Sequence, residues 1–133
     1  MGGKVPFEIP WNVNIHKGWF ADTVPPFAEG LDGDDFIALL RIDSNLRSSA
    51  EEILRGLGGW IGKGTVVELT AALNFPGWRE GEFAAMENFV KERGLEVTYL
   101  CYSMTSLAAI VGVRGEVTWN KETRMHDVEL DFG

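Results

Sequence analysis

FIALLRI, residues 36–42, is an almost unbroken apolar run between an acidic turn (Asp32, Gly33, Asp34, Asp35) and a Ser-containing segment. Seven residues of this kind fit a strand buried on both faces, as parallel sheets require. The residues that follow agree with that reading. Ser44 or Ser48 opens a helix in which Ala50, Ile53, Leu54, Leu57 and Ile61 recur at helical spacing. Glu51 and Glu52 lie in its first turn, where the dipole favours anions, and Gly56, Gly58, Gly59 and Gly62 end it raggedly. GTVVEL (64–69) is a second β-branched run. Glu80 to Glu92 is the clearest helix, with Phe83, Met86, Phe89 and Val90 as its apolar stripe and Gly94 as its stop. Val97–Tyr102 and Leu107–Val113 read as two further strands joined by Ser103–Ser106.

Upstream, Val13, Ile15 and Gly18 suggest a short strand. Asp22 and Thr23 open a helix near 22–30, with Pro25 and Pro26 in its first turn. The order β-α-β-α-β-α-β-β predicts an α/β fold of about five strands, mostly parallel, with an antiparallel final hairpin. In the tail, Val128, Leu130 and Phe132 alternate with Asp127, Glu129 and Asp131. Val117 and Trp119 could pair with them across residues 120–123 as a C-terminal β-hairpin. The chain divides into an N-terminal arm (1–12), an α/β domain (13–113) and a hairpin tail (114–133).

Composition narrows the function. At 133 residues the chain is one domain, and 45% hydrophobic with 24% charged residues is neither disordered nor fibrous. No apolar run approaches the ~20 residues of a membrane span, and the N-terminus lacks the apolar core of a secretory signal. Twelve basic against twenty acidic residues give a net charge of -8, and the basic residues do not cluster. Nucleic acid and anionic membrane are therefore not expected partners. The single cysteine, Cys101, can form no internal disulfide, which suits a cytoplasmic location. Its apolar strand context reads as a buried, inert thiol.

Other chemistry-bearing residues have structural readings. His16 lies in the first apolar segment, and His126, Asp127 and Asp131 do not share one strand face, so no metal site is expected. Asp32, Asp34 and Asp35 lack the terminal Glu of a calcium loop. Glu80 and Glu82 suit the dipole at a helix start, and with Arg79 they equally suit the family-like loop described below. Trp60, Trp78 and Trp119 read as core or interface anchors.

Three stretches in this order resemble the S-adenosylmethionine-dependent O-methyltransferases of the macrocin type. HKGWFADTVPPF (16–27) is similar to that family's kGwFxDTLPxF. IALLRIDSNLRSS (37–49) is similar to aFLHIDcDLYSS, and GTVVELTAALNFPGWREGEFAAMENFV (64–90) to GTVIxFDEYfNyPGWxxGExxAfxEFv. The resemblance covers about residues 13 to 113. It implies a Rossmann-like sheet that transfers a methyl group to a hydroxyl, often with a divalent cation, and ligands at the carboxyl ends of its parallel strands. It assigns Asp43 as the catalytic carboxylate and makes Asn74, Trp78 and Arg79 candidates for the substrate pocket. Cofactor-binding residues stay unassigned.

The departures from the pattern matter as much as the match. Asn45 stands at the next acid, Arg47 at the tyrosine, and Thr70-Ala71-Ala72 replaces DEY, so one carboxylate remains where the family uses about three. The chain begins at the family's third strand, and no G-x-G-x-x-G occurs in it. The expectation is a truncated, methyltransferase-like half-domain that is inactive alone and serves as a binding or assembly module, needing no cofactor. Two alternatives are an O-methyltransferase using S-adenosylmethionine whose site another subunit completes, acting on a sugar or polyketide hydroxyl, and an engineered fragment without activity. The third strand would pair directly with the fourth, and right-handed crossovers would set all three helices on one sheet face. The other face would be bare unless the C-terminal hairpin, the N-terminal arm or a second copy covered it, which predicts a homodimer or higher oligomer with sheet faces or tails exchanged between subunits.

Overall fold

The computed structural model describes residues 7–116, 118–120 and 125–127. Its elements are α1 (Phe20–Glu29), β1 (Leu39–Ile42), α2 (Arg47–Leu57), β2 (Val66–Leu69), α3 (Glu82–Arg93), β3 (Leu95–Tyr102), β4 (Ala109–Glu116), β5 (Thr118–Asn120) and β6 (Met125–Asp127). Short 3-10 turns at Gly58–Trp60 and Trp78–Glu80 precede β2 and α3.

Four strands form a mixed sheet in the order β1-β2-β4-β3. β1 and β2 are parallel, whereas β4 runs antiparallel to both β2 and β3. The expectation of about five mostly parallel strands is therefore corrected to four strands with one parallel pair. Two features account for the difference: residues 13–18 form no strand, and β4, antiparallel to β3 as expected of the final hairpin, lies between β2 and β3 and so keeps them from pairing in parallel. As a result β1, β2 and β3 run in one direction and end at one rim, where Asp43, Thr70 and Ser103 begin the loops.

The expected strand at Val13–Gly18 does not form, so it does not pair with β1. Val13 and Ile15 stay exposed, and Gly18 adopts a positive φ of 148°. β1 is also shorter than the apolar run it comes from. Phe36 is exposed, and Ile37 N–H donates to Trp60 O at 3.0 Å, outside any ladder. Helix α1 starts at Phe20, earlier than read, which puts Pro25 and Pro26 in its interior rather than its first turn. There they remove two backbone donors.

The core lies between one sheet face and the helices. Ile42, Val67, Leu69, Ala109, Val111 and Val113 meet Ala50, Ile53, Leu54 and Leu57 of α2 and Ala85, Met86 and Phe89 of α3. Fully burying a side chain such as Ile42, Leu54, Leu69 or Met86 contributes about 1.5–3 kcal/mol. Across the helix layer α2 contacts both α1 and α3, and α3 contacts β3. Helix α1 therefore sits on the side of the β1 edge. Gly56, inside α2, permits the α1 contact: a Cβ there would collide with Val24 Cγ1. Gly94 ends α3 in the left-handed conformation at φ 62°, as its place after Lys91 and Arg93 predicts.

The opposite face carries Leu39, Arg41, Val66, Glu68, Leu100 and Ile110. Arg41 and Glu68 are register partners across β1 and β2 and form an ion pair at 3.3 Å. Leu39 is 63% and Leu100 49% exposed. Cys101 is exposed rather than buried, because β3 is the outermost strand and its register shifts between Tyr99 and Cys101. β5 and β6 pair antiparallel, Trp119 opposite His126. The strand read at Val128–Phe132 lies outside the described residues, as does Val117.

Candidate functional site

The parallel pair ends in Asp43 and Thr70. Thr70 N–H continues the ladder by donating to Ile42 O at 3.1 Å. That bond fixes the threonine so that its hydroxyl donates to Asp43 Oδ1 at 2.8 Å, with Ile42 O 3.2 Å away as a second acceptor. Asp43 itself is exposed. The turn beyond it passes through Asn45 at φ 57°, a left-handed conformation that Asn tolerates better than most residues.

Beneath this pair lies Glu82, in the first turn of α3. It is 1% exposed. Its Oε1 accepts the Ala71 N–H at 3.3 Å, while its Oε2 is buried without a hydrogen-bond partner. Burial holds the carboxyl above its ordinary range, and the nearby Asp43 carboxylate pushes the same way. The N–H groups of Ala71 and Thr70 pull it partly back. Glu82 is thus no solvated dipole partner, as its position at a helix start suggested. The signal was in the spacing: residues 82, 85, 86 and 89 share one helix face, and the other three are core.

A second feature opens at the same rim. Leu73, Asn74, Trp78, Tyr102 and Met104 line an apolar cleft of about 260 Å³. Asn74, at φ 64°, donates from Nδ2 to Met104 O at 2.9 Å and so ties the loop after β2 to the loop after β3. Trp78 meets Phe83 edge to face at 5.0 Å, and Phe83 in turn lies 6.4 Å from the Tyr99 ring. Tyr99 OH donates to Glu87 at 3.1 Å; burial and that carboxylate push the phenol above its ordinary range. The Arg79 guanidinium lies 4.4 Å over the Trp78 ring but belongs to a neighbouring hollow formed by Phe75–Glu80. Of the residues assigned by resemblance, Asn74 and Trp78 thus share a cleft and Arg79 braces it from outside. Asp43 lines neither space.

The residues present do not fit a cation held by carboxylates. Among the described residues no three His, Cys, Asp or Glu side chains converge. Asp43 Oδ1 already accepts a hydroxyl proton, and Glu82 is sealed beneath the loop. A hard cation takes six or more oxygen ligands and keeps waters among them only where the site is open. No step is derived through a metal.

The sheet, its one-sided helix layer and the strand-end rim define a methyltransferase-like α/β fold. The chain is similar to the apo structure of CalS11, a TDP-rhamnose 3'-O-methyltransferase and an enzyme in calicheamicin biosynthesis, at 23% identity and a TM-score of 0.55 over 73% of this chain and 39% of that one. It is similar also to a second crystal structure of CalS11, calicheamicin methyltransferase, at 22% identity and a TM-score of 0.51 over 72% of this chain and 35% of that one. The chain therefore spans well under half the length of the proteins it matches. No family model matches it, and no curated protein sequence does. Among the described residues no helix is long and apolar enough to cross a membrane.

Proposed function

We propose that the chain is a methyltransferase-like half-domain of the macrocin type that works as a binding or assembly module and transfers no methyl group by itself. The state of the strand-end carboxylates carries this reading. Methyl transfer to a hydroxyl needs a base free to take the acceptor's proton. Here Thr70 and Ala71 supply no carboxylate beside Asp43, and Glu82 is enclosed with its charge disfavoured, so one exposed carboxyl is left for the work that the resembled family divides among about three. The exposed Leu39 and Leu100 on the face opposite the helices support the assembly half of the proposal. Apolar surface left in water costs on the order of 25 cal/mol per Å², and a second copy of the chain would cover part of it.

Isothermal titration with S-adenosylmethionine and S-adenosylhomocysteine tests the first half; no binding at micromolar concentration is expected, and micromolar binding would overturn it. Light scattering on the eluting protein tests the second: a mass of twice 14.8 kDa supports assembly, and a concentration-independent monomer refutes it.

A second reading has one observation in its favour. Asp43 is exposed at the same rim as the Asn74–Trp78 cleft, as a base for an acceptor hydroxyl in a site completed by another subunit would be. On that reading Asp43→Asn abolishes methyl transfer by the assembled protein and leaves the fold intact. An unchanged rate dismisses it.

A further inference from the structure

We infer that the open edge of β1 is a strand-pairing site whose occupant is the β1 of a second copy, joining two four-stranded sheets into one continuous sheet. The inference rests on the assembly reading and specifies where assembly occurs.

Backbone direction carries the argument. Val66 N–H donates to Ala38 O and Thr70 N–H to Ile42 O, at 2.9 and 3.1 Å. In a ladder, alternate residues turn their backbone groups to opposite sides, so 38, 40 and 42 face β2. Leu39 and Arg41 then turn their N–H and C=O outward, where no strand among the described residues meets them.

The two sheet edges are treated differently. β3, at the far edge, has register shifts at Glu96/Val97 and at Tyr99/Cys101, irregularities of the kind that discourage pairing. β1 has a regular register, no proline and no lysine. Its one charged side chain, Arg41, is drawn back to Glu68. β1 is only four residues long, but no bulge, proline or lysine within it opposes the addition of a strand.

The edge is also self-complementary in one register. Antiparallel pairing with Leu40 on the two-fold axis sets Leu39 opposite the partner's Arg41 in both directions. Those are the residues whose backbone groups point outward, and the register yields about four inter-chain hydrogen bonds. Leu40 meets the partner's Leu40 on the helix side. Shifting the axis to Arg41 would set two arginines face to face, an unfavourable like-charge pair. The surroundings extend the surface. Helix α1 lies on this side of the layer with Phe20 and Phe27 about two-fifths exposed and Trp19 82% exposed, and Leu46 beyond β1 is 60% exposed. A four-residue ladder alone falls far short of the ~1,200 Å² of a stable interface, so the pairing needs these exposed apolar side chains to be covered along with it.

Light scattering and amide hydrogen exchange on the full chain test the inference. The expected result is a dimer in which the Leu39 and Arg41 amides become protected as concentration rises. Leu39→Pro removes an outward N–H without touching the β1–β2 ladder and should weaken self-association roughly tenfold or more. Leu39→Lys keeps every backbone group, sets a charge against the partner's Arg41, and gives the same outcome if the proline variant does not fold. Leu100→Lys, on the uncovered face away from the edge, should leave the dimer intact. A dimer broken by Leu100→Lys but not by either Leu39 variant overturns the edge while preserving the assembly reading. A monomer whose Leu39 and Arg41 amides exchange freely at every concentration overturns both, including the case in which a different chain occupies the edge.

Discussion

Replacing Glu82 by Gln separates the charge of this carboxyl from its shape. In the folded chain burial holds the group above its model value of 4.5, so between that pH and the folded value the folded state binds more protons than the unfolded one. Stability then falls as pH rises through this window, and the loss is absent below pH 4.5. A tenfold rise in the folded group's proton affinity corresponds to about 1.4 kcal/mol, or roughly 4–7 °C in Tm for a domain of this size. Gln keeps an acceptor for the Ala71 N–H but cannot ionise. Its amide also leaves a buried donor at the Oε2 position, which costs about 1–3 kcal/mol at every pH. The slope of stability against pH is therefore diagnostic, and its level is not. Urea denaturation of both proteins, from pH 4.5 to neutrality, should give a steeper decline for the wild type. Glu80→Gln, exposed and two residues upstream, corrects for losing one negative charge from a chain of net charge -8. Parallel curves for the wild type and Glu82→Gln would refute the reasoning.

Three other perturbations follow from the packing. Gly56→Ala places a methyl group against Val24 and should cost about 1–3 kcal/mol in denaturant unfolding; Val24→Ala in the same chain should recover part of that loss, and additive costs would disprove the contact. Met86→Ala empties a site with no solvent exposure and should destabilise by about 2–5 kcal/mol, measured from the shift in the urea midpoint. Thr70→Val removes the hydroxyl bond to Asp43 with little change of shape and should cost about 0.5–1.5 kcal/mol; the same change in an Asp43→Asn background should cost less.

The helices α2 and α3 were legible because their apolar residues repeat at 3.6 and their ends carry glycine. The strands were legible as elements but not as partners. A run such as Leu107–Val113 announces a buried strand, yet nothing in its composition says that it lies between β2 and β3. The short link before it sets only its antiparallel direction against β3; its place beside β2 is a tertiary choice that the link does not decide. Val13–Gly18 was misread because two β-branched residues satisfy a pattern without enough apolar surface to hold a strand in a sheet. The reading of Cys101 failed for a related reason: an apolar neighbourhood in sequence does not distinguish a central strand from an edge. At the site, Asp43, Asn74 and Trp78 are named by resemblance and not by pattern; Asn74 and Trp78 line one cleft, and Asp43 lies outside it. Glu82 was missed because acids are common at helix starts, and only its spacing from Met86 and Phe89 marks it as buried.

The residues Thr70, Ala71 and Ala72 are coherent with the surroundings of Glu82. A sealed carboxyl beside Asp43 already bears the repulsion of one like charge. Acids at positions 70 and 71 would add more within the same low-dielectric region, where such repulsion is screened least. Thr70 instead supplies a neutral donor to Asp43, and the Ala71 N–H becomes a partner for Glu82. Ala72 has no exposure at all, so a tyrosine in its place would require the core around it to move apart. These residues fit one another as a low-charge structural joint between β1, β2 and α3. An acidic strand end would require a change in the packing at Ala72 as well as in the charges at 70 and 71.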